Sequence, residues 1–113
     1  MLRGGERVVC EMHGDTMIVL IKGEIDHHSA VLVRTGIDER IIAERPREVL
    51  LDLSGVDFMD SSGLGLIMGR YSLIKQCNGS LAILDPSPAV IKMIKLAGLE
   101  RIIPIKRKKE NQK

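Results

Sequence analysis

Tryptophan is absent from the 113-residue sequence, which has one phenylalanine, Phe58, and one tyrosine, Tyr71. A core built on aromatic rings is therefore excluded. Ile, Leu, Val and Met must carry the packing of a chain that is 44% hydrophobic. The two cysteines, Cys10 and Cys77, do not have the spacing of a metal or redox motif. Cys10 lies in an apolar stretch and reads as a small core residue. No apolar run approaches the ~20 residues that span a bilayer. The stretch Met1-Leu2-Arg3-Gly4-Gly5-Glu6 offers no apolar core for a signal peptide. These features point to a cytoplasmic protein with reduced thiols and no membrane partner. Strong charge of either sign is missing too. A net charge of +2 is too small to argue for nucleic acid.

The patterning that is present describes one α/β domain. Val8 to Met12 reads as a strand, and Thr16 to Glu24 as a second one, with Met17, Val19 and Ile21 on one face. Gly14-Asp15 between them predicts a hairpin. Ser29 is a candidate N-cap for a helix to about Ala43, with Ala30, Val33, Ile37 and Ile41 at helical spacing and Pro46 as a stop. Glu48 to Leu53 suits a strand buried on both faces. A second helix is expected from about Ser62 to Gln76, closed by Asn78-Gly79. Leu81 to Leu84 reads as a strand, and Ser87-Pro88 opens a third helix, with serine as cap and proline at the first position. Ile102, Ile103 and Ile105 predict an edge strand interrupted by Pro104. The alternation predicts a mixed, mostly parallel sheet with an N-terminal hairpin and about three packed helices. Periodicity leaves open whether the helices cover one face or both. The domain is expected to span residues 1–105. Lys106, Arg107, Lys108 and Lys109 begin a basic tail, 106–113, that reads as flexible and solvated.

Two stretches invite chemistry. The first is Phe58-Met59-Asp60-Ser61-Ser62-Gly63-Leu64-Gly65, placed after a buried strand and at a helix start. Sites in open α/β sheets gather at such loops, and the unpaired amides of a helix N-terminus favour anions. Simple capping by Asp60, Ser61 or Ser62 accounts for much of the pattern. Three functional readings stand beside it. A nucleotide loop built on Gly63–Gly65 lacks a Gly-Lys-Ser/Thr ending. A serine hydrolase lacks the Gly-x-Ser-x-Gly elbow. The third reading is a phosphoacceptor serine on a recognition surface, ringed by Phe58, Met59 and Leu64. The second stretch is Gly23-Glu24-Ile25-Asp26-His27-His28-Ser29-Ala30. Its two histidines beside a carboxylate hint at a metal, but no further ligand cluster accompanies them. They are taken as loop and capping residues, with neither a metal nor a catalytic role.

Taken together with Gly69-Arg70-Tyr71 and Ser87-Pro88-Ala89-Val90, these stretches resemble the STAS-family anti-sigma factor antagonists, the sporulation antagonists in particular. The resemblance runs from about Thr16 to Ile103. It implies a STAS-like fold and a non-enzymatic, cofactor-free binding protein that works by partner switching. In that scheme the unmodified antagonist binds an anti-sigma factor serine kinase and frees the sigma factor. Phosphorylation then ends the binding, and a serine phosphatase restores it. The resemblance places the phosphoacceptor on Ser61. It implies a partner surface of Asp26, Phe58, Met59, Asp60, Ser61, Ser62, Gly63 and Leu64, with no nucleic acid as partner. A nucleotide-binding or nucleotide-hydrolysing protein, or a STAS module in a stress-signalling complex, is the alternative.

Overall fold

A computed structural model describes residues 7–108. The chain runs β1 (Val8–His13), β2 (Thr16–Lys22), α1 (His27–Glu44), β3 (Glu48–Gly55), α2 (Ser61–Gln76), β4 (Ser80–Leu84), α3 (Pro88–Leu96), a 3-10 turn at Leu99–Arg101 and β5 (Ile105–Lys106). The five strands lie in the order β1-β2-β3-β4-β5. β1 and β2 pair antiparallel across Gly14-Asp15, where Gly14 takes φ 64°, a left-handed value that suits glycine. The remaining neighbours pair in parallel.

Each parallel connection moves one strand further in the same direction. Right-handed crossovers of that kind put their helices on one face of the sheet. Burial agrees. Met17, Val19, Ile21, Val49, Leu51, Leu53 and Ile83 are wholly buried with Val33, Ile37 and Ile41 of α1 and Ile74 of α2. On the opposite face, Ile18, Leu20, Leu50 and Leu84 are only half-buried. The core is aliphatic, as the lack of rings requires. Truncating one of its wholly buried isoleucines to alanine would cost about 2–5 kcal/mol.

Several ends differ from expectation. α1 is capped by Asp26, not Ser29. The Asp26 carboxylate accepts from the Ser29 N–H at 2.9 Å, and the Asp26 N–H donates to Ser29 Oγ at 2.9 Å. Ser29 is thus the third helical residue, the partner in a reciprocal capping box. Ile102 and Ile103 lie outside the last strand, because the chain turns at Leu99–Arg101 after Gly98 and pairs with β4 only at Ile105–Lys106. The expected boundary at residue 105 also moves. Lys106 belongs to β5 and reaches Glu48 at 3.5 Å, Arg107 pairs with Asp85 at 2.9 Å, and Lys108 pairs with Asp52 at 2.9 Å. Residues 106–108 are therefore seated on the domain; the rest of the expected tail, 109–113, lies outside the described residues.

Candidate functional site

The loops Gly23–Asp26 and Val56–Asp60 leave neighbouring parallel strands at their carboxyl ends. They run on side by side. The Ile25 N–H donates to the Phe58 carbonyl at 3.0 Å, and the Asp60 N–H donates to the Ile25 carbonyl at 3.1 Å. This Ile25–Met59 bridge extends the pairing of β2 and β3 past the end of both strands. It brings the two capping aspartates, Asp26 and Asp60, to adjacent helix starts. The two sequence stretches thus form one surface.

Asp60 takes an extended backbone and accepts from the Ser62 N–H at 2.8 Å, capping α2. Ser61 occupies the first helical position and is exposed. No hydrogen bond engages its hydroxyl among the described residues. Ser62 and Leu64 are half-buried, Phe58 is 53% exposed, and Asp26 is exposed. The Asp26 carboxyl is held below its usual range by the Ser29 backbone N–H above all, against an opposing effect of desolvation.

Two of the expected surface residues face inward. Met59 is 1% exposed and belongs to the core. Gly63 is buried against it: a Cβ there would sit 2.6 Å from Met59 Sδ and 2.8 Å from Met59 Cβ. Gly63 is therefore a packing residue that lets α2 start directly over Met59. Neither residue can touch a partner in this conformation. Their contribution is to hold Phe58, Ser61 and Ser62 outward. This contact also accounts for Gly63 without any phosphate cradle.

The sequence reading passed over a groove beside this surface. It has a volume of about 320 Å³ and lies between α1 and α2, lined by Ala30, Arg34, Ser62, Gly65, Gly69 and Arg70 among others. A Cβ at Gly65 or Gly69 would meet nothing within 4 Å, so the missing side chains are what keep the groove open. Each such glycine costs the helix about 1 kcal/mol relative to alanine. The Arg70 side chain is 7% exposed and its Nε lies 2.8 Å from Asp38 Oδ1. The contact is close but poorly aligned for a hydrogen bond, and Arg70 Nη1 is buried with no partner among the described residues. Burial pushes the Asp38 carboxyl up and the Arg70 guanidinium down, and in each case outweighs the attraction of the other.

His27 and His28 lie in the first turn of α1 with ring centroids 5.9 Å apart. Among the described residues no group of three His, Cys, Asp or Glu side chains could hold a metal ion. No helix there is long and apolar enough to cross a membrane. Cys10 is half-buried, and burial pushes its thiol up.

Comparison with known proteins bears on this surface. The model of the STAS domain matches residues 7–111. An anti-sigma F factor antagonist from Paenibacillus polymyxa is 41% identical over 99 residues, covering 88% of this chain and 85% of that protein. The solved structure of the anti-sigma factor antagonist SpoIIAA in its unphosphorylated form superposes with a TM-score of 0.79 at 29% identity, over 93% of this chain and 90% of that one. The Bacillus cell fate determinant SpoIIAA in its phosphorylated form superposes with a TM-score of 0.72 at 28% identity, over 93% and 94%.

Proposed function

The chain belongs to the STAS domain family, and from that membership and the joined loops we propose that it is an anti-sigma factor antagonist switched by phosphorylation at Ser61. The unmodified form binds an anti-sigma factor serine kinase in the cytoplasm and releases the sigma factor. The kinase phosphorylates Ser61, the complex separates, and a serine phosphatase restores the binding form. The chain itself is not an enzyme in this cycle. Its hydroxyl is a substrate for the partner.

The observation that carries this reading is the exposed, unengaged Ser61 at the first position of α2, on a surface shared with Asp26 and Phe58. A phosphate there meets the positive end of the helix dipole, which favours an anion, although the Ser62 and Gly63 N–H groups are already held by Asp60. Asp60 stands next to it and opposes it. The local effects partly cancel, so the folded state has no strong reason to rearrange. The likeness to both the unphosphorylated and the phosphorylated SpoIIAA supports a switch without refolding. In the complex the same phosphate has to be desolvated against a surface fitted to a hydroxyl, which favours separation.

The test is calorimetric titration of the purified kinase with the unmodified and the phosphorylated chain. Binding by the first and loss by the second is the expected result, with fragment-ion mass spectrometry placing the phosphate on Ser61. Phosphate on Ser62, or equal affinity of the two forms, would defeat the assignment. Amide NMR shifts between the forms should concentrate at Asp60–Leu64 and the Asp26 loop. Shifts spread through β2 and β3 would mean a conformational switch instead.

A further inference from the structure

The groove between α1 and α2 carries an inference that rests on the function proposed above and deepens it. Its shape comes from Gly65 and Gly69, whose missing side chains leave space where two packed helices would ordinarily interlock. Its charge comes from Arg34 and Arg70; Arg70 meets the Asp38 carboxylate directly, and Arg34 acts on the same carboxylate from further off. Ser62 lines it as well, so it continues directly from the Ser61 surface down the same helix.

A purely structural account of Arg70 is incomplete. A staple between α1 and α2 would be expected to satisfy its donors, because a buried donor without a partner is costly. Here Nη1 has none among the described residues, although the side chain is more than nine-tenths buried. The Asp38 contact does not make up the difference, since burial outweighs the pairing on both partners. Nη1 itself is closed to solvent, so the groove presents the exposed Arg34 guanidinium and only the small accessible edge of Arg70.

We propose that the groove receives a carboxylate side chain of the anti-sigma factor partner, an Asp or Glu held between Arg34 and Arg70 in the space kept open by Gly65 and Gly69. Guanidinium groups suit this task because their donors match the two oxygens of a carboxylate. The docking surface then has two parts of opposite sign. Asp26 and Asp60 stand at the loops, and the arginines stand in the groove below. A partner must match both, which fixes its orientation as well as its affinity.

Gly69→Leu places an apolar side chain in the groove from a position where the added Cβ meets open space. Arg34→Gln removes charge from an exposed position. Each variant, in its unmodified form, is expected to bind the kinase about tenfold or more weakly than the unmodified wild type, as loss of a buried charge pair or its pocket commonly causes, with the melting temperature of Gly69→Leu unchanged or raised. A blocked and amidated tetraglutamate peptide at millimolar concentration should shift the amides of Ala30, Gly65 and Gly69 in the wild-type chain and not in Gly69→Leu. Kinase affinity within twofold of wild type for both variants would overturn the groove while leaving the Ser61 switch intact. Peptide shifts no larger at the groove than those from tetralysine would overturn it as well. If the wild-type chain fails to bind the kinase at all, the function proposed above falls, and the peptide experiment still decides whether the groove takes a carboxylate.

Discussion

The two helix starts at the site use the same vocabulary to different ends. α1 begins with Asp26 and a serine, Ser29, that are spent on each other: two reciprocal hydrogen bonds, with Ser29 only 8% exposed. α2 begins with Asp60 and two serines, and its cap uses only the aspartate and the Ser62 backbone. The Ser61 hydroxyl is left facing solvent. Serine is thus a structural residue at one helix start and a candidate for modification at the other. What separates them is position within the first turn. The third helical residue folds back on the cap, whereas the first points away from it.

Breaking this contrast at its most exposed point should have the largest effect. Ser61→Asp places a charge in the proposed interface, and an unpaired charge there costs on the order of 3 kcal/mol, over a hundredfold in affinity for the kinase. Ser61→Ala should bind as the wild type does. Calorimetric titration of both variants checks it, allowing that a carboxylate has about one charge where a phosphate has roughly two.

Next in size is the support beneath α2. Gly63→Ala drives a methyl group into Met59 and should destabilise the fold by about 1–3 kcal/mol, through overpacking. Gly65→Ala, two residues along and facing open space, should be neutral or stabilising by up to about 1 kcal/mol. Urea denaturation of the pair distinguishes a packed glycine from an open one.

Ser29→Ala sharpens the comparison directly. Losing the reciprocal cap should cost about 1 kcal/mol, while Ser61→Ala should stay within ~0.5 kcal/mol of wild type, as surface changes commonly do. Equal losses in thermal unfolding would mean that Ser61 is also structural.

The smallest effect is a titration. Asp26 has a depressed folded-state pKa, so its contribution is fully present above the unfolded value of about 3.9 and is lost as pH falls through the folded value. Carboxyl-carbon NMR should show Asp26 titrating below the usual carboxylate range in the wild type. In Ser29→Ala its midpoint should move back upward, by losing the hydroxyl contact.

Much of the fold was legible because its signals are local. Gly14-Asp15 makes the hairpin turn, Ser87-Pro88 starts α3, and Asn78 takes the left-handed conformation at the end of α2 with φ 64°. Asp26 and Ser29 were harder to tell apart. Both are good caps, and only the backbone path shows which one precedes the first helical residue. Met59 was misplaced because a loop has no periodicity from which to read its inward side. The hold on Lys108 escaped because its partners, Asp52 and Ser54, are distant in sequence. At the site, the resemblance joined the two stretches, but the residues alone could not show that Ile25 and Met59 pair. The groove was silent for a related reason: glycines at helical spacing look like weak helix until the neighbouring helix is in place.

The Ile25–Met59 bridge has a consequence for how this architecture tolerates change in length. Its two hydrogen bonds pin Ile25 against Met59, although the β3 side of the pairing runs one residue longer between Lys22–Gly55 and this bridge. An insertion in either segment would slide one past the other by a strand residue, about 3.3 Å, and turn the following side chain to the opposite side. Asp26 and Ser61 would then no longer share a surface, although every helix and strand could still form. Substitutions at the exposed positions here leave the pairing intact, whereas an insertion or deletion that no bulge takes up breaks it. The distance between the two helix starts behaves as a fixed gauge, set by backbone pairing and indifferent to most of the side chains that hang from it.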